Sequence, residues 1–151
     1  IMARKIKLKM VDKGELGHIH PQTVIYNVGN KTFLLAEDES GNYLIKPVYK
    51  NGTLGETILS KNFGRYYDII QAAYDDVTAT TYICAVDLAG RNMEVYSTTT
   101  LGLVSTFEFD YAIDDRKNFN FFFIEGRLYY YHGGEDANGK YTVMSVKVTE
   151  E

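Results

Sequence analysis

The sequence predicts an all-β fold assembled from three repeats of about 49 residues, each of four antiparallel strands, and three observations carry that prediction. The first is self-similarity. Thr32 to Gly41, Thr81 to Gly90 and Tyr130 to Gly139 superpose at a shift of 49 residues, which aligns Phe33 with Tyr82 and Tyr131, Asp38 with Asp87 and Asp136, and Gly41 with Gly90 and Gly139. The second is periodicity. Apolar and polar residues alternate, as in Lys5-Ile6-Lys7-Leu8-Lys9-Met10, or form short aromatic blocks such as Phe119 to Ile124, and no long stretch repeats at about 3.6 residues. The third is turn chemistry: Gly29-Asn30, Glu39-Ser40-Gly41 and Asn51-Gly52 separate the strand-like runs with residues that tolerate a reversed backbone.

In chain order, the first repeat reads as strands over 22–28, 31–38, 42–50 and 53–60, followed by a longer loop over 61–67. A second long loop, over 110–117, leads into the third repeat. Val48-Tyr49 before Thr53-Leu54-Gly55 recurs as Val95-Tyr96 before Thr100-Leu101-Gly102 at a shift of 47, so the repeats drift by small deletions. The third repeat runs through a strand near 141–149 without an evident fourth. Residues 4–11 alternate like a strand and stand, by the period, where that fourth strand belongs. The expected organisation is one domain over 1–151, with a closing strand at 4–11 and repeats at approximately 18–66, 67–115 and 116–151.

Three tight turns followed by one long crossover, with an Asp-x-x-Gly turn between second and third strands and a terminal strand left to close the last unit, resemble the blades of a β-propeller. The resemblance covers nearly the whole chain and is architectural: no Trp-Asp or kelch signature is present, and Trp is absent. Propellers carry about four to eight blades, and three would leave wedges open around the axis. The resemblance therefore implies half of a six-bladed ring, a homodimer in which each terminal strand completes the other chain's last blade. Twelve strands in three repeats also resemble a β-trefoil, which closes as a monomer. The loop pattern favours the propeller, and the Gln-x-Trp motif of trefoil lectins is missing.

Composition narrows the function classes. With 16 Lys and Arg against 20 Asp and Glu, a formal charge of -4, the chain offers no broad cationic surface for nucleic acid or an anionic membrane. No segment approaches the roughly 18 apolar residues of a membrane span. The start, Ile1 to Lys5, has no apolar signal region, and an Ile ahead of Met2 reads as vector-derived. The single cysteine, Cys84, forms no intramolecular disulfide, so a cytoplasmic setting is permitted and the compartment stays open.

The candidate site residues fall into four sets. Gln22, Gln71 and Asn120 place an amide at a 49-residue shift in each innermost strand, where a ring of amides would hold a polar ligand or satisfy strand ends. The crossover loops hold Arg65, Tyr66 and Tyr67 in one repeat and Asp114 and Arg116 in the next, a mixture suited to stacking and directional hydrogen bonding with a sugar or peptide, or to plugging gaps between blades. His18 and His20 share one face of an extended segment and form a weak metal pair without a third ligand. Asp38, Asp87 and Asp136 read as caps of their turns, with Gly41, Gly90 and Gly139 supplying a positive φ. His132 and Cys84 read as core residues.

No phosphate-cradling loop, serine elbow or acid pair is present, so no catalytic residue and no cofactor are expected. The first expectation is a non-enzymatic binding or assembly module presenting its crossover loops to a glycan or protein. A purely structural building block comes next, and an enzyme working at the ring mouth comes last. Lectins that build six-bladed rings from short chains are similar in plan, although they rely on Trp.

Overall fold

The computed structural model describes residues 4–110, 118–133 and 137–147. Eleven strands form three separate antiparallel meanders. The first sheet contains β1 (Gln22–Val28), β2 (Lys31–Glu37), β3 (Asn42–Val48) and β4 (Leu59–Asn62). The second contains β5 (Ile69–Asp75), β6 (Thr80–Asp87), β7 (Asn92–Thr99) and β8 (Gly102–Asp110). The third contains β9 (Asn118–Ile124), β10 (Arg127–Gly133) and β11 (Tyr141–Ser145). Among the described residues there is no helix long and apolar enough to cross a membrane.

The sheets stack in chain order. Strand alternation sends Tyr26, Phe33, Leu35 and Ile45 of the first sheet against Tyr67, Ile70, Ile83, Ala85 and Tyr96 of the second. The opposite face of the second sheet, with Ala73, Cys84, Val86, Met93 and Val95, meets Phe119, Phe121, Leu128 and Tyr130 of the third. The innermost strand β5 packs between β1 and β9. The two core clusters thus join first sheet to second and second to third, giving an arc in which the outer faces of the first and third sheets meet no other sheet among the described residues.

Three expectations change. The repeat pattern puts the fourth strand of the first sheet at 53–60; instead Leu54 bridges Val48 in isolation, and pairing resumes only at Leu59, opposite Ile45. Pro47 explains the gap. Its carbonyl accepts from Gly55 N at 2.8 Å, but with no N–H it cannot return the bond, so the ladder parts and the chain makes an excursion over 55–58. The strand expected over 4–11 is not formed within the single chain: residues 4–16 pair with no sheet, and the arm is anchored at its root, where Asp12 Oδ2 accepts from Leu54 N at 2.8 Å. That root lies beside the first sheet, whereas the open edge of the third sheet belongs to the other end of the arc. Finally, Gly90 does not adopt positive φ; the reversed backbone falls on Arg91 at 57°. What Gly90 supplies is clearance, since a Cβ there would press on the Asp87 carboxylate and make that cap shift.

Asp38 and Asp87 do cap their turns. Asp38 Oδ1 accepts from Ser40 N and Asn42 N at 2.9 and 3.0 Å, and Asp87 Oδ1 accepts from Gly90 N at 2.9 Å. Asp136 lies outside the described residues. Gly41 and Gly139 have φ of 80° and 66°. At Gly41 both requirements coincide, because a Cβ would run into the Arg65 carbonyl oxygen where the crossover passes over the turn. Gly41→Ala is expected to cost about 3 kcal/mol, combining backbone strain with a clash that only movement of the crossover relieves, and a urea titration measures it.

Candidate functional site

The crossover from β4 to β5 divides its side chains between interior and surface. Phe63 N donates to Gly41 O at 2.9 Å, which turns the Phe63 ring onto Tyr43, with centroids 4.0 Å apart. Tyr67 follows it inward, edge-on to Phe63 and completely buried. Its hydroxyl donates to Glu94 Oε2 at 2.5 Å and lies 3.1 Å from the Tyr96 hydroxyl, while Ser105 Oγ donates to the other Glu94 oxygen at 2.6 Å. Burial pulls the Glu94 carboxyl upward, but hydrogen bonds from Ser105, Tyr67 and Tyr96 and the nearby Arg65 charge outweigh it and hold the group below its ordinary range. Burial pushes both phenols well above theirs, joined at Tyr67 by the hydrogen bond to Glu94 and at Tyr96 by those with Tyr67 and then Glu94. Tyr67 thus fills the gap between sheets and is not displayed for stacking on a ligand.

Arg65 and Tyr66 stay half-buried at the rim. Arg65 Nη2 reaches Glu108 Oε1 of β8 at 3.4 Å, a partly exposed pair of small energetic weight that directs the guanidinium along the sheet edge. Beside them, across the Gly41 contact, lies the turn capped by Asp38. His18 Nε2 sits 3.1 Å from Asp38 Oδ2, and His20 stacks on His18 with its Nδ1 2.9 Å from the His18 carbonyl. Burial of Asp38 would raise its pKa, yet hydrogen bonds from Asn42, Ser40 and His18 prevail and set it at about 2. His18, Ile19, Asp38, Glu39 and Ser40 enclose a shallow recess of about 390 Å³. The backbone of Arg65 and Tyr66 therefore passes over Gly41 at the end of the turn that Asp38 caps, while the Arg65 guanidinium reaches Glu108 and the recess itself is lined by His18, Ile19, Asp38, Glu39 and Ser40. Among the described residues no three His, Cys, Asp or Glu side chains converge as a metal site. Asp114 and Arg116 lie outside the described residues.

The three amides do not form one level ring. Gln22 stands opposite Glu37, Gln71 opposite Cys84 and Asn120 opposite Tyr131. With the second strands aligned at the 49-residue shift, the amides share a sheet face but descend it in steps of two residues. Gln71 holds two sheets together, because its Nε2 donates to Phe119 O at 2.5 Å and its Oε1 accepts from Phe121 N at 3.0 Å. The side chain thereby imitates a neighbouring strand and clamps β9 to β5. Gln22 is half-buried and Asn120 is exposed.

The residue that sequence reasoning missed is Glu37. It interrupts the buried apolar run Phe33-Leu34-Leu35-Ala36, and a carboxylate ending such a run was the available signal. It is fully buried; Oε1 accepts from Tyr67 N at 2.8 Å, and Oε2 has no hydrogen-bond partner. Burial pushes its pKa from 4.5 to about 8, against the Tyr67 hydrogen bond and with help from Asp68, Asp38 and Asp87. His132 is buried and stacked on Phe119 at 4.2 Å. Cys84 is buried, with its thiol pushed up to about 12 by desolvation, which leaves almost no thiolate for nucleophilic attack at neutral pH.

No protein-family model matches the chain, and no curated protein or solved structure matches it either.

Two outcomes test these assignments. The folded chain keeps a proton on Glu37 that the unfolded chain releases between pH 4.5 and about 8, so stability falls as pH rises through that window. Glu37→Gln is expected to flatten this dependence and to raise stability at pH 8 by on the order of 1 kcal/mol or more, as measured by urea titrations across the range. Gln71→Ala, which leaves the Phe121 amide without its acceptor, is expected to cost about 2 kcal/mol in the same assay.

Proposed function

We propose that the chain is a non-enzymatic binding or assembly module, a three-bladed half of a six-bladed β-propeller, whose crossover rim receives a glycan or a protein segment. The observation that carries the reading is that the crossover bearing the half-buried Arg65 and Tyr66 passes over the turn at Gly41, whose capping residue Asp38 pairs with His18. A guanidinium, a half-exposed phenol and an imidazole paired with a carboxylate supply directional donors, acceptors and a stacking face, the means by which hydroxyl-rich or peptide ligands are held. Loops carried by a rigid scaffold are where binding groups concentrate. Three separate meanders in chain order support the propeller plan over the trefoil.

The assembly side of the reading rests on the ends of the arc. The third sheet places Phe122, Tyr129, Tyr131, Tyr141 and Val143 on the face opposite the second sheet, and the first sheet places the exposed Ile25, the half-buried Lys46 and, between them, the buried Leu34 on the face away from the second sheet. By strand parity these are the faces that meet wherever one sheet packs on the next within the chain. A second copy placed by a twofold axis would bury both pairs of end faces and close a ring of six.

Arg65→Ala and Tyr66→Ala are expected to lower affinity for a glycan found on an array, or a peptide found by pull-down, by about ten-fold each without loss of fold. Unchanged binding in both variants would remove the rim from the reading. The ring predicts a solution mass of twice the chain's 17.2 kDa, measured by sedimentation equilibrium, and a monomer at high concentration contradicts it.

A further inference from the structure

We infer that residues 5–10 are a strand donor: they add to the free edge of β11 in a second copy of the chain. The inference rests on the half-ring reading and specifies how its seam is made.

Three observations converge on it. The arm has the alternation of an amphipathic strand and pairs with no sheet among the described residues. Ile6, Leu8 and Met10 are 89, 96 and 75% exposed, alternate with Lys5, Lys7 and Lys9, and belong to no sheet. On the receiving side, β3 and β7 each carry a fourth strand on the edge away from the centre, whereas β11, their counterpart, has that edge unpaired among the described residues. All five residues of β11 are exposed, and none is charged. A row of unsatisfied N–H and C=O groups on an uncharged, apolar strand is the surface that accepts an added strand.

The patterns agree as well. In the second sheet, Phe107 and Phe109 of the outer strand face the neighbouring sheet and join its core. An arm paired with β11 has one alternate set, Ile6, Leu8 and Met10, for that same side, next to Tyr141 and Val143, and leaves its lysines on the other. The donor belongs to another copy because of where the arm is rooted. Asp12 fixes it to the β3–β4 connection, and Val11 lies against Gly52 there, beside the first sheet. The acceptor edge is on the third sheet, and no core cluster joins first to third among the described residues. When the third sheet of one copy rests on the first sheet of the other, that other copy's arm emerges at the seam.

Cysteine pairing tests this directly, since Cys84 is fully buried and stays out of the chemistry. Lys7→Cys and Thr142→Cys, with Met144→Cys as the alternative acceptor position one step along the same face, are prepared as separate full-length chains and oxidised alone and after mixing. The expected result is a covalent dimer in a mixture and essentially none in any single variant. Leu8→Asp is expected to raise the concentration at which the native dimer half-dissociates by about ten-fold or more, with an unchanged circular dichroism spectrum of the monomer. A wild-type chain that sediments as a monomer overturns both the ring and the donor. A wild-type dimer with no disulfide in either mixture, or with an intrachain disulfide when Lys7→Cys is combined with Thr142→Cys or Met144→Cys, overturns strand donation and leaves the ring standing.

Discussion

A sheet that packs on both faces must bury consecutive residues, and β6 does this over Ile83-Cys84-Ala85-Val86 by sending alternate side chains to the first and third sheets. Every other arrangement in the arc follows from that double burial. The second sheet is the common neighbour, so the two cores are joined only through its thickness, and a change at Cys84 or Val86 acts on a different interface from one at Ile83 or Ala85. Each fully buried large apolar side chain contributes about 1.5–3 kcal/mol, which makes this stretch a dense source of stability for both interfaces. The polar links between sheets, Gln71 to β9 and Tyr67 to Glu94 and Tyr96, set spacing and register on top of this apolar attraction.

The same packing explains the division of labour in the crossover. Two inner strands can approach closely only if the chain between them fills the wedge that twist opens, and Phe63 and Tyr67 supply the volume. Arg65 and Tyr66, which lie between them in the chain, are left for the rim. Interior and surface side chains are thus interleaved residue by residue along one short loop, and Glu37 sits beneath it with its carboxyl on the Tyr67 amide. A buried acid there ties the loop's anchorage to protonation.

Much of this is legible in the sequence because repetition averages out local ambiguity. The 49-residue shift locates the strands and the Asp turns, and the bounds of β1, β2 and β3 lie within two residues of those expected. Other features depend on quantities no single repeat displays. The effect of Pro47 on the fourth strand requires knowing which edge its missing N–H would face. Gly90 shares a position with Gly41 and Gly139 yet is kept for clearance from Asp87, a reason that superposing the repeats does not reveal. The amides share a numerical shift while the sheets are offset by register, so spacing in sequence overstates their equivalence. Of the site, Arg65 and His18 stand out individually in the sequence; that the crossover carrying Arg65 passes over Gly41, at the end of the turn whose cap His18 contacts, is visible only in the structure.

The outer edges differ in how they resist unwanted pairing. β4 is cut to four residues by the Pro47 excursion and carries Lys61, and β8 is distorted by the irregularity at Val95–Tyr96, where Thr106 has no residue directly opposite it. Among the described residues β11 has neither safeguard, and Tyr141-Thr142-Val143-Met144-Ser145 is an uncharged, β-prone segment. An edge left receptive in this way is receptive to any extended chain. Whether such an edge takes up its intended strand or pairs with partly folded copies is then a kinetic competition, set by local protein concentration and not by the stability of the folded arc.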